Sequence, residues 1–230
     1  MNLTRTERSR GSMNVKSVIF DMDGVIFDSE RLYIDCCVEA AEQLCMENIV
    51  ETCRRCIGVT SDVTENILLE TYRDAALVAR FRDRSVSLFL DRCRAGELGI
   101  KPGVVELLQA LMSVCIPIAI ASSTRTSIVE SELLEAGLLD FFDVIVGGDQ
   151  VQRSKPNPDI FLKAAVLLGS DPQDCVVIED SYNGIRAAKA AGMKAVMVPD
   201  LLEPTEEMES LADAIVPSLF EVPPLLALHP

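Results

Sequence analysis

The chain has 230 residues, of which 49% are hydrophobic and 25% charged, with a formal net charge of -15. That length suits one large domain, or one domain carrying an insert, and the ordinary charged fraction confines disorder to the termini. The acidity, with no Lys/Arg cluster interleaved with aromatics, excludes nucleic acid and anionic membrane surfaces as expected partners.

The segment MNLTRTERSRGS is polar with no apolar core, so it does not read as a signal peptide, and residues 1–13 are expected to be a disordered tail. The first strand is predicted over 15–20 (VKSVIF), followed by an acidic turn. Residues 29–100 hold no convincing strand but repeat apolar residues at helical spacing, as in Tyr33, Cys37, Ala40, Ala41 and Leu44. They read as an inserted helical domain, with 14–28 plus 101–230 forming the core. Within the insert, Cys53-Arg-Arg-Cys56 is a lone CxxC and reads as two thiols on a helix. A zinc site would want a second pair or nearby histidines, and the only histidine is His229.

Lys101-Pro102-Gly103 marks the return to the core. Helices are predicted over 104–113, 127–136, 158–168 and 184–191. Further strands are predicted over 117–121, 144–146, 175–178, 195–198 and 214–216. Strands alternating with helices imply a parallel sheet with right-handed crossovers, an α/β fold. The longest apolar stretch, residues 107–121, contains Pro117 and is too short to span a bilayer. Eight cysteines without an export signal point to reduced thiols and a cytoplasmic location.

Four motifs carry the chemistry, each at the C-terminal end of a predicted strand or just past one. Asp21-Met22-Asp23-Gly24 follows SVIF. Two carboxylates two residues apart repel unless a cation sits between them, and oxygen ligands alone suit magnesium. Ala121-Ser122-Ser123-Thr124 offers hydroxyls and backbone N–H groups at a strand-to-helix turn, either as a phosphate cradle or as an N-cap. Lys155, in SKPNP, would project from a segment fixed by prolines, either into the crevice or as a solvated surface charge. Glu179-Asp180-Ser181 puts a second acid pair after CVVI, with Ser181 able to cap the next helix. In a parallel sheet these ends converge on one crevice, giving a metal site beside a phosphate site. A single histidine makes Ser-His-Asp hydrolysis and His-ligated zinc hydrolysis poor alternatives.

The stretches VIFDMDGVIFDSE, IAIASSTR, SKPNPDIF and VVIEDSYNGIRAAKAAGM resemble the haloacid dehalogenase superfamily, within it the phosphatases similar to beta-phosphoglucomutase. They run from residue 18 to 193 in the family's order and spacing. The resemblance implies a Rossmann-like parallel sheet of strand order 5-4-1-2-3 with an α-helical cap inserted after the first strand, where 29–100 lies. It implies Asp21 as nucleophile and Mg2+ ligand, and Asp23 as general acid/base giving its backbone carbonyl to the metal. Ser122, Lys155 and the backbone N–H of Ser123 would hold the transferring phosphate, with Asp180 and Glu179 completing the metal site. A signalling receiver domain shares the phospho-aspartate but is shorter and has no counterpart of Asp23.

Two departures bear on phosphatase against mutase. Tyr33 stands where the mutase has a histidine, and Ser61 where its cap loop has an arginine. Both remove groups that would handle a bisphosphate, so the expectation is a phosphatase acting on a small phosphorylated metabolite, a sugar phosphate first. Tyr33, Val59, Thr60 and Ser61 of the cap, with Tyr72 and with Arg125 beside the Ser/Thr cluster, are the candidate substrate contacts. A monomer is the default expectation.

Overall fold

The structure is a computed structural model describing residues 15–56 and 61–228, with Ser61 and Asp62 described by their backbone alone. The expectations for residues 1–13, for Val59 and Thr60, and for the side chain of Ser61 lie outside the described residues.

The strands are β1 (Ser17–Phe20), β2 (Ile118–Ala121), β3 (Val144–Val146), β4 (Cys175–Glu179), β5 (Lys194–Met197) and β6 (Ala214–Ile215). All pair in parallel in one sheet, in the order β3-β2-β1-β4-β5-β6. This is the expected five-strand order read from the other edge, with β6 added beside β5. Between β1 and β2 lie α1 (Ser29–Gln43), α2 (Ile49–Cys56), α3 (Ser61–Tyr72), α4 (Ala75–Arg94) and α5 (Val104–Ser113). Then α6 (Thr126–Glu135), α7 (Asp159–Leu168), α8 (Tyr182–Ala190), α9 (Glu206–Leu211) and α10 (Val222–Leu225) follow the successive strands from β2 to β6.

β1, β2 and β4 are buried along their whole length, which is why each reads as a continuous apolar run instead of an alternation. Alternation still sorts their side chains. Val18, Phe20, Ile118, Ile120, Val176 and Ile178 share a cluster with Leu107, Leu108 and Leu111 of α5 and Leu133 of α6. Ile19, Ala119, Ala121 and Val177 share the other cluster with Phe161 of α7 and Ile185 of α8. Each face is thus covered by helices, as a parallel sheet requires.

The inserted helices bury a third cluster of their own, including Cys36, Ala40, Ile49, Leu68, Val78 and Phe81. Asp74 caps α4 by accepting a hydrogen bond from the Leu77 N–H at 3.0 Å. The two segments that connect insert and core run against each other. Phe27 and Ile100 form an antiparallel bridge, the Asp28 N–H donates to Gly99 O at 2.9 Å, and the Lys101 N–H donates to Ile26 O at 2.8 Å.

Asp200, in the loop after β5, fastens this crossing. Its Oδ1 accepts from Lys101 Nζ at 2.6 Å and lies 2.7 Å from an Arg31 guanidinium nitrogen, and Arg31 also pairs with Asp28 at 2.7 Å. The Asp200 side chain is 1% exposed against 17% for Lys101 and 50% for Arg31. Lys101 therefore cannot rehydrate freely if Asp200 is lost, whereas Arg31 can. Asp200→Ala should destabilise the fold by about 2–3 kcal/mol in urea unfolding. A loss within ~0.5 kcal/mol, the ordinary surface value, would show that the crossing holds without it.

Candidate active site

From β1 the chain builds outward through β2 and β3, then returns to the other side of β1 at β4. The helices that follow β1 and β4 diverge there, and a crevice opens beyond the strand ends. Register sets what stands in it. Phe20 pairs with Ile178, and the Asp21 N–H donates to Ile178 O at 2.9 Å, so Asp21 and Glu179 emerge side by side.

Lys155 lies between them. Its Nζ donates to Asp21 Oδ1 at 2.6 Å and to Glu179 Oε1 at 2.9 Å, and its side chain is only 7% exposed. Burial works against its ammonium, but Asp21 and Glu179 outweigh that and raise its pKa. Burial first, then Glu179 and Asp23, push the Asp21 carboxyl up to about 7 against the pull of Lys155. Asp180 is raised well above the carboxylate range by burial and by Glu179 and Asp21.

Two glycines let these acids approach. Gly24, at φ +76°, lies where a Cβ would come within 2.4 Å of Asp180 Oδ2. At Gly184 a Cβ would fall 1.6 Å from Glu179 Oε1, so only glycine lets the first turn of α8 close over that carboxylate. Glu179 Oε2 accepts from the Ser181 N–H at 2.6 Å, and Ser181 Oγ in turn caps α8 by accepting from the Gly184 N–H at 3.0 Å.

Asp21, Glu179 and Asp180 are all buried, with one ligand oxygen from each lying within 4.8 Å of the others. Three carboxylates face one ammonium, and every donor is a hard oxygen. The arrangement fits Mg2+ in donor type and in the charge it leaves uncompensated. The Asp23 carboxylate stands outside that cluster. Its Oδ1 accepts from Ser29 Oγ at 2.8 Å and its Oδ2 from Thr124 Oγ1 at 3.1 Å.

These acids line one side of a cavity of about 700 Å³, with Ser123 and Lys155. The inserted helices line the other with Tyr33, Cys37, Cys53, Phe81 and Arg82. Tyr33 of α1 is among those lining residues. Ser122 is fully buried beneath the turn, where its Oγ accepts from the Thr124 N–H at 3.0 Å. Arg125 is an exposed residue at the N-cap of α6 and is not among the described residues lining the cavity. Tyr72 is not among them either; its hydroxyl donates to Glu47 O at 2.9 Å.

Sequence reasoning missed Ser29 and Thr124 as the groups that hold Asp23, and Glu30 on the cavity wall. Glu30 directly follows the DS of FDS, and its carboxyl is pushed up to about 7 by burial, then by Asp200 and Asp23. Its neighbours come from across the fold, so spacing gives no sign of it.

A model of the haloacid dehalogenase-like hydrolases matches residues 18–198. The chain belongs to that family. It is 36% identical over 182 residues to the phosphorylated carbohydrates phosphatase of Thermotoga maritima, covering 79% of this chain and 84% of that one. It is 33% identical over 211 residues to the bifunctional riboflavin kinase/FMN phosphatase of Arabidopsis thaliana, covering 91% of this chain; it spans about half of that protein, 53%. Among solved structures, a candidate beta-phosphoglucomutase from Thermotoga maritima superposes with a TM-score of 0.75 at 33% identity, covering 93% of this chain and 98% of that one.

The site's field reaches Glu132, a buried residue of α6 whose carboxyl is pushed up to about 7 by burial, then by Asp23 and Glu135. The folded state therefore holds a proton there that the unfolded chain releases near its ordinary 4.5. Stability from this group is full at low pH and is lost as pH rises through about 7. Glu132→Gln should raise Tm at pH 8 relative to wild type and leave it nearly unchanged at pH 4. An equal shift at both pH values would count against an ionisation effect.

Proposed function

We propose that this protein hydrolyses a small phosphate monoester, a phosphorylated carbohydrate first, through a phospho-aspartate on Asp21. The observation that carries the reading is the Asp21–Lys155–Glu179 cluster at the floor of a cavity that Asp23 also lines.

Asp21 Oδ1 is held by Lys155, leaving Oδ2 to attack phosphorus in line. The P–O bond to the leaving group breaks as Asp23 delivers a proton to the departing alkoxide. Asp23 then takes a proton from water as that water attacks phosphorus, releasing inorganic phosphate and restoring the Asp21 carboxylate. Lys155 offsets the repulsion between an anionic nucleophile and an anionic phosphate. Ser123, at the turn after β2, offers its backbone N–H to the transferring group, while Ser122, not among the described cavity-lining residues, braces that turn from beneath through the Thr124 N–H. Asp21, Glu179 and Asp180, with the backbone carbonyl of Asp23, would hold Mg2+. Bound there it supplies further positive charge opposite the phosphate oxygens. Ser29, on the first turn of α1, and Thr124, on the core, position Asp23 between insert and core, so the insert acts as a cap whose movement brings the acid to its task.

Transfer to a second phosphate site is the competing reading. Among the described cavity residues from the inserted helices, the cation is Arg82, and it is already paired with Glu65. Tyr33, in the place of the mutase histidine, carries no positive charge; its ring packs edge-on against Phe89 at 5.8 Å. Both favour water as acceptor.

With p-nitrophenyl phosphate and Mg2+, Asp21→Asn should lower kcat by ~10⁴-fold or more, and Asp23→Asn by ~10²–10⁴-fold. Magnesium-dependent turnover that survives Asp21→Asn would sink the covalent route. Conversion of beta-glucose 1-phosphate to glucose 6-phosphate would favour the mutase. Separately, Mg2+ at about a hundred times its Kd should stabilise the wild type by about 2.7 kcal/mol, seen as a rise in Tm. Asp180→Asn should remove most of that rise, and an undiminished rise would move the metal elsewhere.

A further inference from the structure

Among the described residues, five carboxylates and two cations line the cavity. Both cations are already paired: Lys155 lies between Asp21 and Glu179, and Arg82 pairs with Glu65 of α3. Residues 57–62 (IGVTSD) bring no further Lys or Arg. Four of the carboxylates belong to the chemistry described above. Asp21, Glu179 and Asp180 form the buried acid cluster, and Asp23 is held by Ser29 and Thr124. Glu30 is the fifth and has no part in that chemistry.

Glu30 stands on the first turn of α1, one residue after Ser29, whose Oγ donates to Asp23 Oδ1 at 2.8 Å. It therefore lines the cavity from the inserted helices, beside the group that would protonate the leaving oxygen. Its side chain is half-buried, and among the described residues no hydrogen bond or ion pair holds its carboxylate. The cations at that end of α1, Lys101 and Arg31, are engaged by Asp200 Oδ1. Burial, then Asp200 and Asp23, push the Glu30 carboxyl up to about 7, so above that pH it is an anion with no cation to satisfy it. A half-buried acceptor without a donor costs free energy, and a ligand that brings a donor recovers it. A hydroxyl does this. A second phosphate or a carboxylate would instead meet a like charge on a partly desolvated wall.

We propose that Glu30 selects the alcohol of the ester: its carboxylate accepts a hydrogen bond from a hydroxyl of the leaving group and turns away leaving groups that carry a second anionic charge. The substrate class is then the phosphate monoester of a neutral polyol or sugar, with bisphosphates and phosphorylated acids excluded. A cavity of about 700 Å³ has room for such an alcohol. The assignment rests on the phosphatase reading, and it makes Glu30 a specificity residue that takes no part in bond breaking.

Four phosphate esters with a three-carbon skeleton test it, on the full chain with Mg2+ at pH 8, where Glu30 is ionised. Glycerol 3-phosphate, propyl phosphate, 3-phosphoglycerate and 3-aminopropyl phosphate end in a hydroxyl, a methyl, a carboxylate and an ammonium group. For the wild type, kcat/KM for glycerol 3-phosphate should exceed that for propyl phosphate by about 10–100-fold, the worth of a hydrogen bond to a charged group, and that for 3-phosphoglycerate by about a hundredfold. Glu30→Gln keeps an acceptor and removes the charge. It should bring 3-phosphoglycerate to within about fivefold of glycerol 3-phosphate while keeping most of the first ratio. Glu30→Ala should collapse both ratios. Asp35→Asn, exposed on the same helix and not among the described cavity residues, should keep both.

Ratios unchanged in the two Glu30 variants would overturn the proposal. So would a wild type that turns over propyl phosphate or 3-phosphoglycerate as well as glycerol 3-phosphate, a result that holds even if a variant does not fold. A wild-type preference for 3-aminopropyl phosphate would also overturn it, giving Glu30 to an ammonium group. Each of these outcomes requires turnover and so leaves the phosphatase reading standing. Absence of magnesium-dependent turnover of every ester, p-nitrophenyl phosphate included, sinks that reading and this inference with it.

Discussion

The arrangement depends on one buried ammonium. Lys155 stands between Asp21 and Glu179 with almost no solvent around it, and Asp180 adds a third carboxylate to the same space. Taking these charges out of water costs several kcal/mol per ion, and the ion pairs offset only part of it. A fold that retains such a cluster at its sheet's switch point gives up stability there. The rest of the molecule supplies the compensation: a sheet buried on both faces, with apolar helices packed over each.

The same economy of position governs how the inserted helices meet the core. They bury their own apolar cluster, so their cohesion does not rely on the sheet. What joins them to it is local, namely two crossing segments whose Ile26, Phe27 and Leu98 pack into the core, an isolated bridge, and Asp200 holding Lys101 and Arg31. On the function proposed above, a crossing of only two short segments would serve as the hinge. Asp23 sits where such a movement would be felt, bonded to Ser29 on one side and Thr124 on the other.

The two sides of the cavity have different chemical characters. The core side concentrates acids around one lysine and suits phosphate and its counter-ion. The helical side is mainly aliphatic, aromatic and thiol-bearing, with Glu30 as its acid and its arginine paired with Glu65. On the function proposed above, the first surface would carry the reaction and the second would select which molecule is presented to it.

Much was legible in the sequence because it was local. All six strands, the parallel architecture and the helical interval follow from apolar runs and their spacing. So does the placing of Asp21, Glu179 and Asp180 at strand ends, because a strand in a parallel sheet delivers its C-terminal residues to one edge. The two glycines at 24 and 184 were visible as letters, but their reason, a carboxylate where a Cβ would be, was not. What only the tertiary structure decided were the encounters between distant segments: Lys155 with Asp21, Thr124 with Asp23, and Asp200 with Lys101. Periodicity fixes which face of an element a side chain occupies. It carries no information about which other element's face will lie opposite, because that is set by packing the whole chain at once.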